Sequence, residues 1–396
     1  MDNSSILYII DTFFILFSAT LIILMAPGFA MLEAGLVRTK NVTSVLTGNV
    51  LLYSVTSFVF LIWGYNLMFN GTGFFLDGFE DDGFSKYALF FFQMAFVSKT
   101  VSIISGGVAE RVKILPFMLF AIIMSGFIYP MVGNWTWGGG FLSDMHDLAG
   151  STIIHSVGGW ALLAGILVLG SRKGRYGKNG QVRPIPASNI PLVTLGGFLL
   201  WIGWFGFNGG SVLTIGSVDN ANLVAKVILN TNTAGISGAL IAGIMVYLKY
   251  RKLDITMILN GALGGLVAIT AGADVVGLWE PIIIGAIGGA LVVLAVPMFD
   301  RFKIDDPVGA LSVHLVNGIW GTLAVAIFNS EFDILVQLKA IGIIALFSFS
   351  VSFIVFKIIA KISRLRVSEE VEYDGLDISE TGVESYIEFN KSKLGL

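Results

Sequence analysis

The sequence predicts an all-α membrane protein with eleven transmembrane helices, arranged as an inverted repeat of two five-helix halves followed by an eleventh helix. Three observations support this fold class: an apolar composition, eleven apolar stretches of spanning length, and one motif that recurs in both halves. Of the 396 residues, 55% are hydrophobic and 13% are charged, whereas a soluble domain carries about 25% charged residues. The 48 glycines suit closely packed transmembrane helices.

The composition also excludes several classes of function. A net charge of −3 argues against electrostatic binding of nucleic acid. The absence of cysteine excludes disulfides, thiol catalysis and cysteine metal sites, and we expect neither a metal nor another cofactor. The first apolar run lacks a basic leader and is long enough to span, so we expect no cleaved signal peptide.

The chain divides into a transmembrane domain, residues 1–361, and a tail, residues 362–396. A spanning helix needs roughly 20 mainly apolar residues. The eleven stretches run roughly over residues 7–34, 42–68, 87–109, 114–132, 150–170, 190–209, 222–248, 255–272, 278–299, 308–328 and 335–361.

Charge separates the connections between these stretches into two groups. Those after the first, third, fifth, seventh and ninth stretches are basic, with Arg38, Lys40, Arg111, Lys113, Arg172, Lys173, Arg175, Lys178, Arg183, Lys249, Arg251, Lys252, Arg301 and Lys303. The alternate connections carry Lys86 and the acids Asp77, Glu80, Asp81, Asp82, Glu331 and Asp333. Basic connections stay in the cytoplasm, so the N-terminus is predicted outside and the C-terminus inside.

The tail begins with basic residues and then becomes acidic. Such a composition is typical of a disordered, solvated segment. Ser379 or Thr381 ahead of Glu384 could instead start a helix as N-caps. Disordered and docked tails therefore both remain open.

One motif occurs in both halves, at an offset of 159 residues. It reads DLAGSTIIH over residues 147–155 and DPVGALSVH over residues 306–314. The matching pairs are Asp147 and Asp306, Gly150 and Gly309, His155 and His314, and Gly159 and Gly318. Because five spans is an odd number, a five-span repeat must be inverted, as in many transporters with a site near the midplane.

The spacing predicts that the two histidines meet. Eight helical residues carry each one about 12 Å inward from opposite faces of a core about 30 Å thick. Two imidazoles in contact can share a proton and offer hydrogen bonds to a small polar solute. The alternatives are structural histidines or a metal pair, the latter lacking a third ligand nearby. Asp147 and Asp306 are expected to organise helix ends rather than to bind cargo.

Eight segments, taken together, resemble the ammonium transporters of the Amt/Mep/Rh family over essentially the full chain. They are APGFAMLEAGLVRTKN, FQMAF, SGGVAERVK, WGGGFL, DLAGSTIIH, WFGFNGGS, DDPVGALSVH and RVSEEVEYDGLDISETG, in the family's order. The tail is similar to that of the archaeal and bacterial members rather than the Rhesus branch.

The resemblance implies an outer ammonium recruitment site and a gate beneath it. Phe92, Phe96, Trp137 and Ser211 match the recruitment site, where aromatic faces attract a cation and a hydroxyl accepts its hydrogen bond. Phe96 and Phe207 match a stacked phenylalanine gate. Without the resemblance, Phe92 and Phe96, four residues apart on one helix face, would be interpreted as packing residues.

The resemblance implies roles for further residues as well. They are His155 and His314 as the twin pore histidines, Asp147 at the foot of the outer vestibule, Trp204 beside the pore, Asp306 as its structural counterpart, and Gly375 and Asp377 in a regulatory tail. Leu148 departs from the family, whose members often have an aromatic there. Lys99, in the third stretch, is expected to face a subunit interface or pair with a carboxylate. His146 receives no role.

The resemblance implies a mechanism in which ammonium loses its proton near the gate and ammonia passes the histidines. The proton stays outside or follows a route that includes them. The protein would not be an enzyme, would lie in the prokaryotic plasma membrane as a homotrimer within the lipid bilayer, and would be regulated by a PII-type signalling protein. The alternatives are an ammonium sensor with little flux, a general pore for small neutral solutes, and an intramembrane hydrolase.

Overall fold

The computed structural model describes residues 2–386, and within that range the chain is helical. No strand forms among these residues, and the two isolated bridges are Val112 with Arg366 and Tyr176 with Val182. Eleven helices follow the order of the predicted stretches: α1 Asn3–Leu36, α2 Thr39–Met68, α3 Lys86–Val108, α4 Ile114–Trp135, α5 Ser151–Leu169, α6 Ile190–Gly210, α7 Val218–Tyr250, α8 Ile255–Ile269, α9 Glu280–Arg301, α10 Leu311–Phe328 and α11 Ile334–Ser363.

Ten of these eleven helices are long and apolar enough to cross a membrane. The exception is α8, where a span was predicted over residues 255–272. It has 15 residues, fewer than the roughly 20 that a spanning helix needs. Its glycines and other small residues let it lie buried against α7 and α9, so it is packed inside the protein rather than exposed to lipid.

The helices differ in how deeply they are buried. In α3 and α5 most residues are buried, whereas α2 and α11 keep most of theirs at the surface. Large apolar side chains such as Phe13, Phe58 and Leu346 are exposed at the periphery, as expected of a surface in contact with hydrocarbon. The centre of the protein is therefore built from α3 and α5, which carry several of the predicted site residues.

An aspartate sets the start of α5. Asp147 is buried, and its two carboxylate oxygens accept backbone N–H groups from four residues, Gly150, Ser151, Thr152 and Ile153, at 2.8–3.1 Å. Gly150 adopts φ +103, a left-handed conformation that favours glycine. The expectation that this aspartate organises a helix end is confirmed.

The second copy of the motif has the same construction at the start of α10. Asp306 accepts N–H groups from Val308, Gly309 and Leu311 at 2.7–3.2 Å, and Gly309 has φ +79. The expectation for this aspartate is confirmed too. The first glycine pair of the motif thus has a physical reason, because Gly150 and Gly309 turn the chain into the helix.

The predicted depth of the histidines assumed eight helical residues, and that assumption is wrong. Helix α5 begins at Ser151, after the left-handed Gly150, and its first turns are π-helical over Ser151–Ser156. The first turns of α10 are π-helical over Leu311–Val316. The wider π turns, which recur at functional sites, rotate each histidine relative to a regular α-helix.

The described part of the tail is docked against the basic connections. It holds two short helices, α12 Glu369–Asp374 and α13 Asp377–Thr381. Leu376 N–H donates to Asn41 Oδ1 at 2.9 Å, and the Asp377 carboxylate accepts the N–H of Ser44 at 2.8 Å. Gly375, at φ +115, lies directly against Lys40. Residues 387–396 of the predicted tail lie outside the described residues.

The predicted helix caps in the tail are wrong. The hydroxyls of Ser379 and Thr381 donate to the carbonyls of Leu376 and Asp377 at 3.2 and 2.6 Å, and no helix starts after them among the described residues. The N-cap of α12 is Ser368, whose hydroxyl accepts the N–H of Val371. The conformation of the tail depends on its contacts with the transmembrane domain, and a local capping pattern does not predict such contacts.

We predict that Asp147→Asn lowers stability by about 2–4 kcal/mol, because an amide N–H group would face backbone donors that now meet a carboxylate oxygen. The midpoint of thermal unfolding in detergent measures the effect. Asp144→Asn, at an exposed position three residues earlier, is the matched control. Equal midpoints for the two variants would show that the cap adds nothing to stability.

We predict that Asp377→Ala releases the tail, because a buried backbone N–H of Ser44 loses its acceptor at a cost of about 1–2 kcal/mol. Amide hydrogen exchange over residues 366–386 should rise roughly tenfold. Asp374→Ala, at an exposed neighbouring position, should leave the exchange as it is in the parent. Unchanged protection in Asp377→Ala would contradict the assignment of this contact as an anchor.

Candidate functional site

The four predicted recruitment residues line one cavity of about 220 Å³, namely Phe92, Phe96, Trp137 and Ser211. The ring centroids of Phe92 and Phe96 lie 4.7 Å apart, and those of Phe96 and Trp137 lie 6.3 Å apart. Aromatic faces at such spacing attract a cation. The resemblance and the geometry thus bring the same four residues together.

Hydrogen bonds fix the polar groups around this cavity. Trp137 Nε1 donates to the carbonyl of Asp147 at 2.9 Å, which holds the indole in place. The Ser211 hydroxyl donates to the carbonyl of Phe207 at 2.8 Å. Because the serine proton is used there, the free lone pairs of its oxygen can accept a hydrogen bond from a ligand.

Sequence reasoning missed Gln93 as a member of this cavity. Its Oε1 atom is buried and has no hydrogen-bond partner among the described residues. The available signal was a polar residue inside an apolar span, immediately after Phe92. Leu148, at the position where the family often has an aromatic, also lines the cavity.

Two buried phenylalanine rings close the path below the cavity. The centroids of Phe96 and Phe207 are 4.4 Å apart, and both side chains are buried. The rings were expected to stack, but they meet edge to face at 67°. This is a favoured arrangement of two aromatic quadrupoles, and it leaves no room for a hydrated ion.

The two histidines lie in contact below the phenylalanines, as the motif spacing predicts. The Nδ1 atoms of His155 and His314 are 3.1 Å apart, and their ring centroids are 5.1 Å apart with an interplanar angle of 18°. One of these nitrogens must donate and the other accept, so the pair holds one shared proton. The Nε2 atom of His155 is buried without a hydrogen-bond partner among the described residues.

Aromatic rings enclose the histidine pair on both sides. Trp204 packs against His155 at 5.2 Å and is held by a hydrogen bond from its Nε1 to Thr270. Phe207 lies 5.5 Å from His155, and Phe29 lies 6.1 Å from His314. Sequence reasoning missed Phe29, because nothing in an apolar first span distinguishes a pore-facing side chain from a packed one.

The crossing of α5 and α10 explains why the histidines can meet. A side chain at Gly159 would come within 2.6 Å of Leu315, and one at Gly318 would collide with Ser151 and Ser156. The hydroxyls of Thr152 and Thr322 bond across the same crossing at 2.7 Å. The second glycine pair of the motif therefore allows the two helices to approach closely.

Two other residues from the sequence lie outside this arrangement. Lys99 is 1% exposed and lies above the ring of Tyr53 at 5.6 Å, and its Nζ has no hydrogen-bond partner among the described residues. Both expectations are therefore wrong there, since the side chain neither pairs with a carboxylate nor faces a surface where a second subunit could contact it. His146, given no role, contacts Asp274 through Nε2 at 3.1 Å and Gln337 through its backbone N–H. It links the connection that carries Asp274 to the first turn of α11.

The tail residues Gly375 and Asp377 do not join the pore. They lie in the docked tail, where they contact Lys40 and Ser44 near the start of α2. Among residues 2–386, no cluster of three histidine, aspartate or glutamate side chains is arranged to hold a metal ion.

Comparison with known proteins identifies relatives over nearly the whole chain. The "Putative ammonium transporter" of Synechocystis is 38% identical over 96% of this chain and 90% of its own length. "Ammonium transporter Amt2" of Archaeoglobus fulgidus is 36% identical over 96% and 89%. The "Ammonium transporter" of Bacillus subtilis is 34% identical over 95% and 98%.

Solved structures share the fold. The structure of a "Sensor Amt Protein" matches with a TM-score of 0.89 and 34% identity, covering 95% of this chain and 99% of that one. Saccharomyces cerevisiae Mep2 matches with a TM-score of 0.84 and 26% identity, over 93% and 91% of the two chains. The family model described as Ammonium Transporter Family matches residues 13–386, and the chain belongs to this family.

Proposed function

We propose that the protein is an ammonium transporter of the cell membrane that separates the substrate into ammonia and a proton. The observation that carries this proposal is the order of the parts. The aromatic cavity can hold a cation, and the contacting rings of Phe96 and Phe207 close its inner end. The histidine pair that shares a proton lies beyond these rings. A cation can collect in the first part but cannot enter the second intact.

The first step is recruitment of ammonium in the aromatic cavity. Phe92, Phe96 and Trp137 supply ring faces, and each good cation–π contact contributes about 0.5–2 kcal/mol. Ser211 Oγ and Gln93 Oε1 supply acceptors for the N–H groups of the ion. The two acceptors orient ammonium through its N–H groups, but oxygen atoms also coordinate alkali cations, so the cavity alone discriminates weakly between them.

The second step is transfer of the ammonium proton, at the gate of Phe96 and Phe207, to Nε2 of His155. That nitrogen has no hydrogen-bond partner among the described residues and is an acceptor when Nδ1 of His155 carries the proton shared with His314. A bare cation in an apolar passage loses its hydration, which costs several kcal/mol or more. Neutral ammonia avoids most of that cost, so deprotonation is the cheaper way through. Ring motion of the two phenylalanines opens the passage for a molecule of this size.

The third step takes ammonia past His155 and His314, which Trp204 and Phe29 confine. Because one proton is shared between the Nδ1 atoms, one of the two outer Nε2 atoms is a donor and the other is an acceptor at any time. The pair can therefore form hydrogen bonds with ammonia as it passes. The same pair is a route for the proton. Asp147 and Asp306 act indirectly in this scheme, because they fix the helix starts that carry the histidines.

The topology forms part of the proposal. We place the N-terminus outside, the C-terminus inside, and an inverted five-helix repeat ahead of α11, with the domain boundary at residues 361 and 362. The matching starts of α5 and α10 support the repeat. The short α8 completes an eleventh span with flanking residues. As in the Amt branch, the assembly is a homotrimer in the bilayer.

The docked tail is proposed to regulate transport. Gly375 and Asp377 anchor it to the start of α2, so a partner that contacts the tail can influence a transmembrane helix directly. The family resemblance implies a PII-type signalling protein as the partner. We expect it to bind the face formed by the basic connections and the docked tail, here called the basic face. A nucleic-acid partner is not expected.

An ammonium sensor is the second candidate, because one of the solved structures that share this fold is named a "Sensor Amt Protein". Such a protein would use the same aromatic cavity for binding and the tail for signalling, with little flux. Transport activity decides between the two candidates.

We predict that purified protein in proteoliposomes moves ammonium. On a solid-supported membrane, an ammonium pulse should give a current, or a change in the pH of the lumen that is faster than in liposomes without protein, because ammonia also diffuses slowly through bare lipid. Liposomes without protein are the control. If neither signal appears while the tail still binds a PII-type protein, the sensor function replaces the transporter function.

We predict that changes to the histidine pair alter selectivity more than folding. His155→Asp places a carboxylate in the passage, which compensates a buried cation, so potassium should pass and the preference for ammonium should be lost. His155→Leu and His314→Leu should stop transport, because the shared proton is lost. Currents with ammonium and with potassium measure both effects.

The third histidine provides the matched control for these variants. His146 does not contact the pore histidines or the aromatic rings around them, so His146→Leu should transport like the parent. Size-exclusion chromatography should show intact assembly for every variant. Parent-like transport and discrimination in both pore leucine variants would make the pair merely structural.

A further inference from the structure

A buried carboxylate lies beyond the histidine pair, on the side away from the aromatic cavity. Glu33 is 1% exposed and belongs to α1, one helical turn after Phe29, which packs against His314. Ionisable groups inside a span are costly to bury, and those that persist usually serve a function. Neither the recruitment step nor the gate uses Glu33.

The hydrogen bonds of Glu33 suit a group that exchanges a proton. Oε1 accepts from the Ser105 hydroxyl at 2.6 Å, and Oε2 accepts from the Asn49 amide at 2.9 Å. Among the described residues Glu33 forms no salt bridge, whereas the buried Glu110 is paired with Arg38 and Arg172. Two neutral donors orient the Glu33 carboxyl without fixing its charge, so it can carry the proton or release it.

Glu33 also separates two small cavities. The first, about 10 Å³, is lined by Phe29, His314 and Glu33 among others, and a volume of this size holds about one water. The second, about 40 Å³, is lined by Glu33, Glu110 and Leu376 of the tail among others. His314 and Glu110 are thus the titratable groups that share a cavity with Glu33.

We propose that Glu33 is the proton-transfer residue that follows the histidine pair. The inference rests on the proposed function, since it assigns the route of the proton that ammonium releases. When His155 has taken up a proton at Nε2, it passes the shared proton to Nδ1 of His314. Nε2 of His314 then gives its proton to a water in the first cavity, and that water gives a proton to a Glu33 oxygen. Glu33 then releases a proton to water in the second cavity and returns to a carboxylate.

The decisive variant is Glu33→Gln, which retains the shape of the side chain and cannot carry the proton. The ammonium current on a solid-supported membrane should fall at least about tenfold, and Glu33→Asp should recover part of it. Asp219→Asn, at an exposed acid at the start of α7, is the control and should match the parent. A Glu33→Gln current equal to the parent's across the pH range overturns the assignment.

A second variant tests the assignment if Glu33→Gln fails to assemble. Ser105→Ala leaves the carboxyl in place and removes one hydrogen bond that favours its charged form. Glu33 then holds its proton more tightly, so the pH midpoint of the ammonium current should move upward. An unmoved midpoint contradicts the role of Glu33. A parent without any ammonium signal overturns the proposed function together with this inference. An active parent that gives no current, or whose variants behave like the parent, overturns the inference alone.

Discussion

The contact between α5 and α10 is the interaction on which the rest of the structure depends. Two imidazoles meet there with their Nδ1 atoms 3.1 Å apart, and each is carried by a helix whose start is fixed by an aspartate. Glycine at positions 159 and 318 lets the backbones approach closely enough for this contact. Aromatic rings pack on either side of the pair, so the passage is polar at the histidine pair and apolar around it.

A second polar network holds the basic face together and connects it to the tail. Burial alone would raise the pKa of the Glu110 carboxyl, but Arg172 and Arg38 outweigh it and lower that pKa to about 2. Burial also acts against the charge on Asp305, yet Arg172 lowers its pKa to about 2. Both lowered values mean that the stabilisation is complete above the ordinary carboxyl pKa and is lost as the pH falls toward 2. Asn41 donates to Glu110 and accepts from Leu376 of the tail, so the docked tail rests on groups that stay charged at neutral pH.

The sequence predicted the order and approximate bounds of the helices because the length of an apolar stretch follows directly from the bilayer. It also predicted the histidine contact, since equal spacing in two related helices places equivalent residues together. The left-handed Gly150 and the π-helical turns after it could not be predicted, because a carboxylate bound to four backbone N–H groups sets that geometry. Phe29, Glu33 and Gln93 were missed for a related reason. Which face of an almost wholly apolar helix points to a passage depends on its neighbours, and the pattern of the helix itself does not indicate it.

In the proposed mechanism, selectivity follows from the division between the aromatic cavity and the passage behind it. Ring faces attract potassium as well as ammonium, because the attraction depends on charge, so the cavity alone discriminates weakly through its two hydrogen-bond acceptors. The stronger discrimination lies at Phe96 and Phe207, where the rings lie 4.4 Å apart and both are buried. An ion that cannot shed its charge must bring it into that apolar passage, whereas ammonium can give up its proton and pass the rings as neutral ammonia. In the proposed mechanism a dry, closed passage is therefore the source of specificity, and the histidine pair serves it by offering the separated proton and the neutral ammonia a hydrogen-bonded way through.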